Sequence, residues 1–396
     1  MNRVCSIFSQ LLQCFPRLEF QSMVKQHKAE RHARGFSSWG QFIAMMFCQL
    51  GRAHSLREIC GGLAACEGKL KHLGLSDFPH RATLAYANEH RPWQLYQSVF
   101  FALLQRCQSE VRPGHKFRFK NKLLSMDASL ISVCISMYDW AQYQRAKGAV
   151  KLHLMLDHDG YLPCFAVITN GKKHEISVAR QMVFQPGTIV VFDKAYADYG
   201  WWKRLTQQGV HFVTRLRDDA KVEVLAKRHV PPLHKHILAD EEIKLVGYRQ
   251  VGKEGLAGLR RIRIFDPEQK RELVFVTNLG HLAASTIAAI YRQRWQIESF
   301  FKSLKQLLKI KTFVGTTENA VLTQIWTALI VMLLLRWLKL KAKFAWSLAN
   351  LVALLRQQLF VYRDLWNWLN APFEPPPLLA HQLALPWTAP ANLDTI

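Results

Sequence analysis

Two carboxylates stand where a folding chain tolerates them least. Asp127 lies inside the apolar run from Leu123 to Cys134, in the context Leu-Leu-Ser-Met-Asp-Ala-Ser. Asp193 ends the compact run from Thr188 to Phe192. Both runs read as strands, the second rich in the β-branched residues that a buried strand favours. A carboxylate inside or ending a buried strand is costly unless it is paired or bound to a metal. Either Asp alone suits a capping or turn acid equally well. Two together point to one sheet that presents both acids at a single place.

The surrounding pattern fits such a sheet. Val150 to Asp157 and Tyr161 to Thr169 alternate as strands around His158-Asp159-Gly160, an Asp-Gly hairpin signal. Asn170-Gly171 supplies the next turn, Ile176 to Phe184 reads as a helix, and His211 to Leu216 as a further strand. Between 221 and 280 the chain is strand-like again, at Ile243 to Tyr248, Leu259 to Phe265 and Leu273 to Thr277. Three antiparallel strands followed by alternating helix and strand predict a mixed α/β class, with helices covering the sheet.

The flanks are helical. Residues 1 to about 110 are helical and basic, with a capping box at Ser55-x-x-Glu58. A turn-like stretch holds Gly68, Gly74 and Ser76, and Pro79 then opens a helix through Arg81, Thr83, Tyr86 and Asn88 to about Glu89. This pattern suits a DNA-reading helix–turn–helix; it suits an ordinary helical hairpin as well. The helical period returns from Ala283 to about Phe360, and a Pro-rich tail with Pro375 to Pro377, Pro386 and Pro390 reads as irregular.

Charge narrows the partner. Lys and Arg number 53 against 29 Asp and Glu, a formal net charge of +24. A folded protein this basic implies a polyanionic partner, nucleic acid before an anionic membrane. The eight cysteines form no C-x-x-C pair and lie mostly in apolar stretches, which reads as reduced thiols and not as a disulfide frame or zinc site. Pro16 and Glu19 interrupt the apolar N-terminal run, so no signal peptide is expected. Ile325 to Leu335, ended by Arg336, is too short to span a bilayer and reads as a core helix.

The third acid comes from the segment Tyr291 to Lys305. On a helix turning about 100° per residue, Tyr291, Arg294, Glu298, Lys302 and Lys305 share one face. Ile297, Phe301, Leu304 and Leu308 form the adjacent apolar stripe. One carboxylate in a row of cations suits a metal ligand at a DNA backbone; a solvated face with a Glu298–Lys302 pair reads the row equally well. Asp127 and Asp193 tip the balance. Phosphoryl transfer uses two divalent ions roughly 3.5–4 Å apart, and hard ions such as Mg²⁺ take carboxylate oxygens.

Tyr291-x2-Arg294-x3-Glu298-x6-Lys305 resembles the Y-R-E-K signature of bacterial transposases of the insertion-sequence-4 family at every position and spacing. Asp127 and Asp193 fall where that family has its first two acids, and Asp193-Lys-Ala-Tyr196 resembles its second-acid motif. The resemblance covers roughly residues 115 to 335. It implies a ribonuclease-H-like catalytic domain at 111–335 with a β-rich insertion at about 221–280. A helical DNA-binding domain at 1–110 would precede it, and a helical C-terminal region with the Pro-rich tail at 336–396 would follow. It implies an enzyme that binds the terminal inverted repeats of an insertion sequence, cuts both strands and joins the 3′ ends to target DNA. The implied cofactor is a pair of Mg²⁺ ions (Mn²⁺ as substitute) on Asp127, Asp193 and Glu298. The implied assembly is a homodimer on double-stranded DNA, in the bacterial cytoplasm at the nucleoid, with no membrane partner.

By position, Tyr291, Arg294 and Lys305 would contact phosphates near the cut, with Lys302 beside them, and Trp295 would stack near a flipped base. Arg81 opens the best candidate reading helix. The insertion departs from the family in having no Trp between 203 and 294. Tyr248 or Phe265 would then displace the base. Two other readings share these residues: a metal-dependent nuclease without strand transfer, and a domesticated DNA-binding protein without catalysis.

Overall fold

The computed structural model describes residues 5–374 except 32, 34, 67, 69, 112–116, 134–141, 145–146, 232–235, 248–251, 253–254, 309 and 311. Helices come first: α1 (Ile7–Leu12), α2 (Arg17–Gln26), α3 (Ser38–Leu50), α4 (Leu56–Ala64), α5 (Leu70–Leu73), α6 (Arg81–His90) and α7 (Gln94–Glu110). The expected capping box forms at α4. Ser55 Oγ accepts the Glu58 N–H at 3.2 Å, and the Glu58 carboxylate accepts the His54 N–H at 2.9 Å. The expected helix after Pro79 is α6.

The central region follows as β1 (Leu123–Val133), β2 (Gln142–Gln144), β3 (Lys147–Asp157), β4 (Leu162–Asn170), α8 (Glu175–Ala179), β5 (Ile189–Phe192), α9 (Tyr199–Gln207) and β6 (His211–Arg215). Then come β7 (Val222–Lys227), β8 (Ile237–Leu245), β9 (Leu256–Asp266) and β10 (Arg271–Thr277). The chain returns to helix with α10 (Ala284–Arg292), α11 (Trp295–Leu307), α12 (Glu318–Lys341), α13 (Leu348–Gln358) and α14 (Leu365–Asn370). Two expected elements differ in extent. The helix expected from Ile176 to Phe184 stops at Ala179, where the chain turns and Arg180 pairs with Asp198, the N-cap of α9. The strand expected from Ile243 to Tyr248 runs instead over Ile237–Leu245, because Gly247 adopts a φ of +76° that no strand continues through. Tyr248 and the Pro-rich tail lie outside the described residues.

All the described strands join one mixed sheet in the order β2-β3-β1-β5-β6-β10-β9-β8-β7, with β4 also on β3. β1, β5 and β6 run parallel; β3 beside β1 runs antiparallel to them, and β4, antiparallel to β3, follows outside it. On one face, Leu123, Ile189, Val191 and Val213 pack with Ile287, Ile290 and Tyr291 of α10. On that same face Leu152, Leu154 and Leu156 of β3 pack with α11, α12 and the N-terminal helices. The opposite face buries Met126, Phe192 and Phe212 beneath α9. This large core therefore runs across the compositional boundaries at 110 and 336.

Helix α12 explains that continuity. Its residues from Ala320 to Leu335 are buried on every side. A helix apolar all round needs cover all round, and α3, α6, α7, α13 and β4 supply it. The helix is longer than its apolar run, and at 24 residues it is long and apolar enough to cross a bilayer by length and composition. Here 89% of its most apolar window is enclosed by protein, as expected of a core helix.

Candidate active site

The strand register sets the first two acids side by side. Met126 of β1 pairs in parallel with Phe192 of β5, so the next residues, Asp127 and Asp193, stand level on adjacent strands. Both follow the alternation of Leu123, Ile189 and Val191, so they project to the α10 and α11 face. Asp127 also pairs with Leu154 of β3, which belongs to the neighbouring core. The acids therefore occupy the seam between two apolar clusters on one face. Local bonds fix each carboxylate: Asp127 Oδ1 accepts the Ala128 N–H at 2.8 Å, and Asp193 Oδ1 accepts the Ala195 N–H at 3.0 Å.

Glu298 arrives from a helix that is not the continuous one its sequence predicts. The segment Tyr291 to Lys305 breaks at Gln293 and Arg294, between α10 and α11. Here the Arg294 N–H bonds to the Tyr291 carbonyl and the Ile297 N–H to the Arg294 carbonyl, i→i−3 bonds that overwind the chain. Tyr291 is thereby turned into one core, with its ring 4.8 Å from Phe275, while Ile297, Phe301, Leu304 and Leu308 enter the other. The shared face drawn on a straight helix is corrected accordingly. Tyr291, only 8% exposed, does not stand in a row with Glu298, Lys302 and Lys305.

The break places Arg294 among the acids. Its guanidinium lies 2.5 Å from Glu298 Oε1, 3.6 Å from Asp127 Oδ2 and 4.0 Å from Asp193 Oδ2. Burial works against the Arg294 charge, and Tyr291 and the three acids more than offset it, so its proton is held more firmly than usual. Asp127 shows the strain of the cluster. Its carboxyl is raised to about 6, chiefly by burial with Glu298 and Asp193 acting the same way, and against the opposing Ala128 N–H and Arg294.

Three carboxylates around one buried cation are a donor set for hard divalent ions. As they stand, no three His, Cys, Asp or Glu side chains among the described residues are close enough to hold an ion. Arg294 lies between them and supplies the countercharge. The residue types fit divalent metal, and Arg294 occupies the space between them.

The other expected contacts are spread out. Trp295, at the start of α11, is 59% exposed beside the cluster. Lys302 is exposed further along α11, and Lys305 is half-buried in its last turn. Arg81 lies exposed on α6, which packs against α3, α4 and α12 and does not join the acids. Phe265 is half exposed on β9. One residue escaped the sequence reading. Val191 pairs with Val213, so Arg215 at the end of β6 stands level with Asp193 and faces the same side. It pairs across β10 with Phe275, the residue beneath Tyr291. Its Nε is buried with no hydrogen-bond partner, and among the described residues it makes no ion pair. The available signal was a charged residue ending an apolar strand run, the same feature that marked Asp193.

Comparison with known proteins gives the class, that of polynucleotidyl transferases acting on DNA. Residues 118–334 match the family model described as a transposase DDE domain, and the chain belongs to that family. It is a DNA transposase of the insertion-sequence kind, an enzyme class that uses divalent metal. Residues 4–76 match a domain of unknown function. A protein of Geobacillus stearothermophilus designated a transposase for insertion sequence element IS5377 is 31% identical over 67% of this chain and 68% of its own. A transposase-designated protein of Sinorhizobium fredii is 28% identical over 81% of this chain and 88% of its own. A Synechocystis protein designated a transposase for element IS4SA is 24% identical over 65% of this chain and 71% of its own.

Proposed function

We propose that this transposase is of the insertion-sequence-4 type, and that Asp127, Asp193 and Glu298 hold two Mg²⁺ ions, with Mn²⁺ as a substitute. The observation that carries the reading is the convergence of the three carboxylates on Arg294 from two adjacent strands and a helix. The order β4-β3-β1-β5-β6, antiparallel then parallel, supports a ribonuclease-H-like core. The strands β7 to β10 are its β-rich insertion, at about 221–280 within a catalytic domain at 111–335.

Asp127, Asp193 and Glu298 would hold the ions, whose chemistry there would be activation of the attacking oxygen and stabilisation of the leaving one, in each DNA cut and in joining the 3′ ends to target. The chain's own residues do the rest. Arg294 and Arg215 face the acids and take the phosphates flanking the cut, Arg294 leaving the carboxylates as it does so. Lys302 and Lys305 continue the phosphate track along α11. Tyr291 backs Arg294, with the guanidinium carbon 5.5 Å from its ring. Trp295 offers an exposed ring to an unstacked base, and Phe265 is the described aromatic of the insertion available to displace one. Residues 1–110 read the terminal inverted repeats through the exposed side of α6, which carries Arg81 and a Tyr86–His90 stack at 4.0 Å. The working form is a homodimer on DNA, in the bacterial cytoplasm at the nucleoid.

The test is cleavage of duplex carrying the element's ends. Asp127→Asn, Asp193→Asn and Glu298→Gln should each lose cutting in Mg²⁺ while still shifting the duplex in a gel. Any one of them cutting at the full rate removes that residue from the site.

A further inference from the structure

The turn between β3 and β4, residues 158–161, bridges the strand that carries Asp127 and the helix that carries Glu298. We propose that Tyr161 is a positioning residue for the reaction: its hydroxyl holds the break between α10 and α11, and with it Arg294 and Glu298, at a fixed offset from Asp127. The inference rests on the reading that these acids hold the catalytic ions.

On one side the turn is fastened to β1. The His158 N–H bonds to the Leu123 carbonyl at 3.0 Å, and His158 Nε2 meets Ser125 Oγ at 2.6 Å. Both side chains are fully enclosed. Next to them Lys122 pairs with Asp157 at 2.9 Å. Ser125 precedes Asp127 by two residues on the same strand, so it shares that face.

On the other side the turn is fastened to the helices. Tyr161 donates its O–H to Gln293 Oε1 at 3.2 Å, and Gln293 immediately precedes Arg294 in the overwound break. The Tyr161 carbonyl accepts from Arg336 Nη1 of α12 at 2.8 Å. That guanidinium lies 4.6 Å over the ring of Phe300, two residues beyond Glu298. Both polar bonds of Tyr161 therefore lead to the segment carrying the third acid.

The backbone pays for this placement. Tyr161 has a φ of +55°, directly after Gly160 at +77°. A left-handed conformation is strained for a Tyr and easy for Gly or Asn. The turn is closely packed at Gly160, where an added Cβ would come within 2.8 Å of Val111 and 3.3 Å of Leu340. A strained side chain hydrogen-bonded next to a reaction centre is the situation in which strain and function coincide. The Tyr161 ring also sits 5.4 Å from the His158 ring, so the two anchors of the turn move as one piece.

Tyr161→Phe removes one hydroxyl and keeps the ring. In the full-length protein it should lower kcat on element-end duplex in Mg²⁺ about tenfold, the scale of a sub-ångström displacement of reacting groups. The affinity for that duplex and the Tm should stay at the wild-type values. Calorimetric titration of Mn²⁺ into the protein held on an uncleavable element-end duplex should show weaker binding by a similar factor. Gln293→Leu should cause the same losses, and the double variant no more than either single one. Wild-type kcat and Mn²⁺ affinity in Tyr161→Phe, with Asp127→Asn inactive, overturns the proposal and spares the acid assignment. A loss of Tm or duplex affinity in step with kcat overturns it in favour of a merely structural hydroxyl. If Asp127→Asn still cuts, the acid assignment itself fails and the proposal falls with it.

Discussion

Asp240 and Arg260 are each 5% exposed, on the neighbouring strands β8 and β9. Arg260 grips both carboxylate oxygens, with Nε 2.6 Å from Oδ1 and Nη2 on Oδ2. Its remaining nitrogen reaches the Leu279 and Leu282 carbonyls, in the segment that feeds α10. The pair thus ties the strands before α10 to the helix that ends at the Gln293–Arg294 break. Asp240→Asn leaves a buried guanidinium without its countercharge. Two unit charges about 4 Å apart interact by about 4 kcal/mol at an effective dielectric of 20. Removing one partner of a buried pair costs about 3–5 kcal/mol, a large share of the roughly 5–15 kcal/mol that holds a protein folded. Denaturant melts at constant pH should show that loss as a lower midpoint with an unchanged slope. Replacing both residues, as Asp240→Leu with Arg260→Met, should recover most of it, because no charge is then stranded. A loss under about 1 kcal/mol in Asp240→Asn, or a double variant as unstable as the single one, would refute the reasoning.

His153, enclosed in the sheet beside Lys151, has its pKa lowered to about 4, first by burial and then by that lysine. The unfolded chain therefore binds a proton that the fold refuses between about 6.5 and 4. Stability is fully present above the unfolded pKa and falls as pH drops through this window, by an order of 3 kcal/mol; His153→Leu should flatten that slope in a pH series of melts. Gly255, with φ at +73°, would put a Cβ 2.4 Å from the Leu245 carbonyl, whereas Gly258 at +75° has open space. Gly255→Ala should lower Tm well beyond Gly258→Ala, which carries only the left-handed penalty of about 1–2 kcal/mol; equal shifts would mean the clash relaxes freely. Arg215→Ala should weaken DNA binding alike for element ends and random duplex, and lower the salt slope by about one; loss confined to the element's ends would make Arg215 a base reader.

The acids were legible because burial makes a strand carboxylate conspicuous: Asp127 and Asp193 needed only the strand alternation to be noticed. What placed them level was the parallel register of Met126 with Phe192, a long-range pairing that no local pattern encodes. Glu298 was legible by spacing, yet its surroundings were not. The 3.6-residue period runs unbroken through Gln293 and Arg294, and the overwinding there answers two separate cores that claim Tyr291 and Ile297. For the same reason the pairing of Arg294 with all three acids left no mark in the sequence. Helix α6 and the capping box at Ser55 are local in origin and came through intact. The left-handed Tyr161 did not, because nothing in Asp-Gly-Tyr says which residues take positive φ.

The wholly buried helix α12 also sets a timetable. Its cover comes from α3 and α7, made long before it, and from α13, made just after. On a ribosome adding about 5–20 residues per second, the stretch from Glu110 to Lys341 takes roughly 10–50 s to emerge. Throughout that wait the helices of the first 110 residues lack the element that closes their core. Contacts this distant along the chain also slow folding after release. The newborn protein therefore spends tens of seconds with apolar helix faces uncovered, a state that favours aggregation. By the same topology the chain cannot be pared down at residue 110, since cutting away residues 1–110 would strip α12 of α3, α6 and α7.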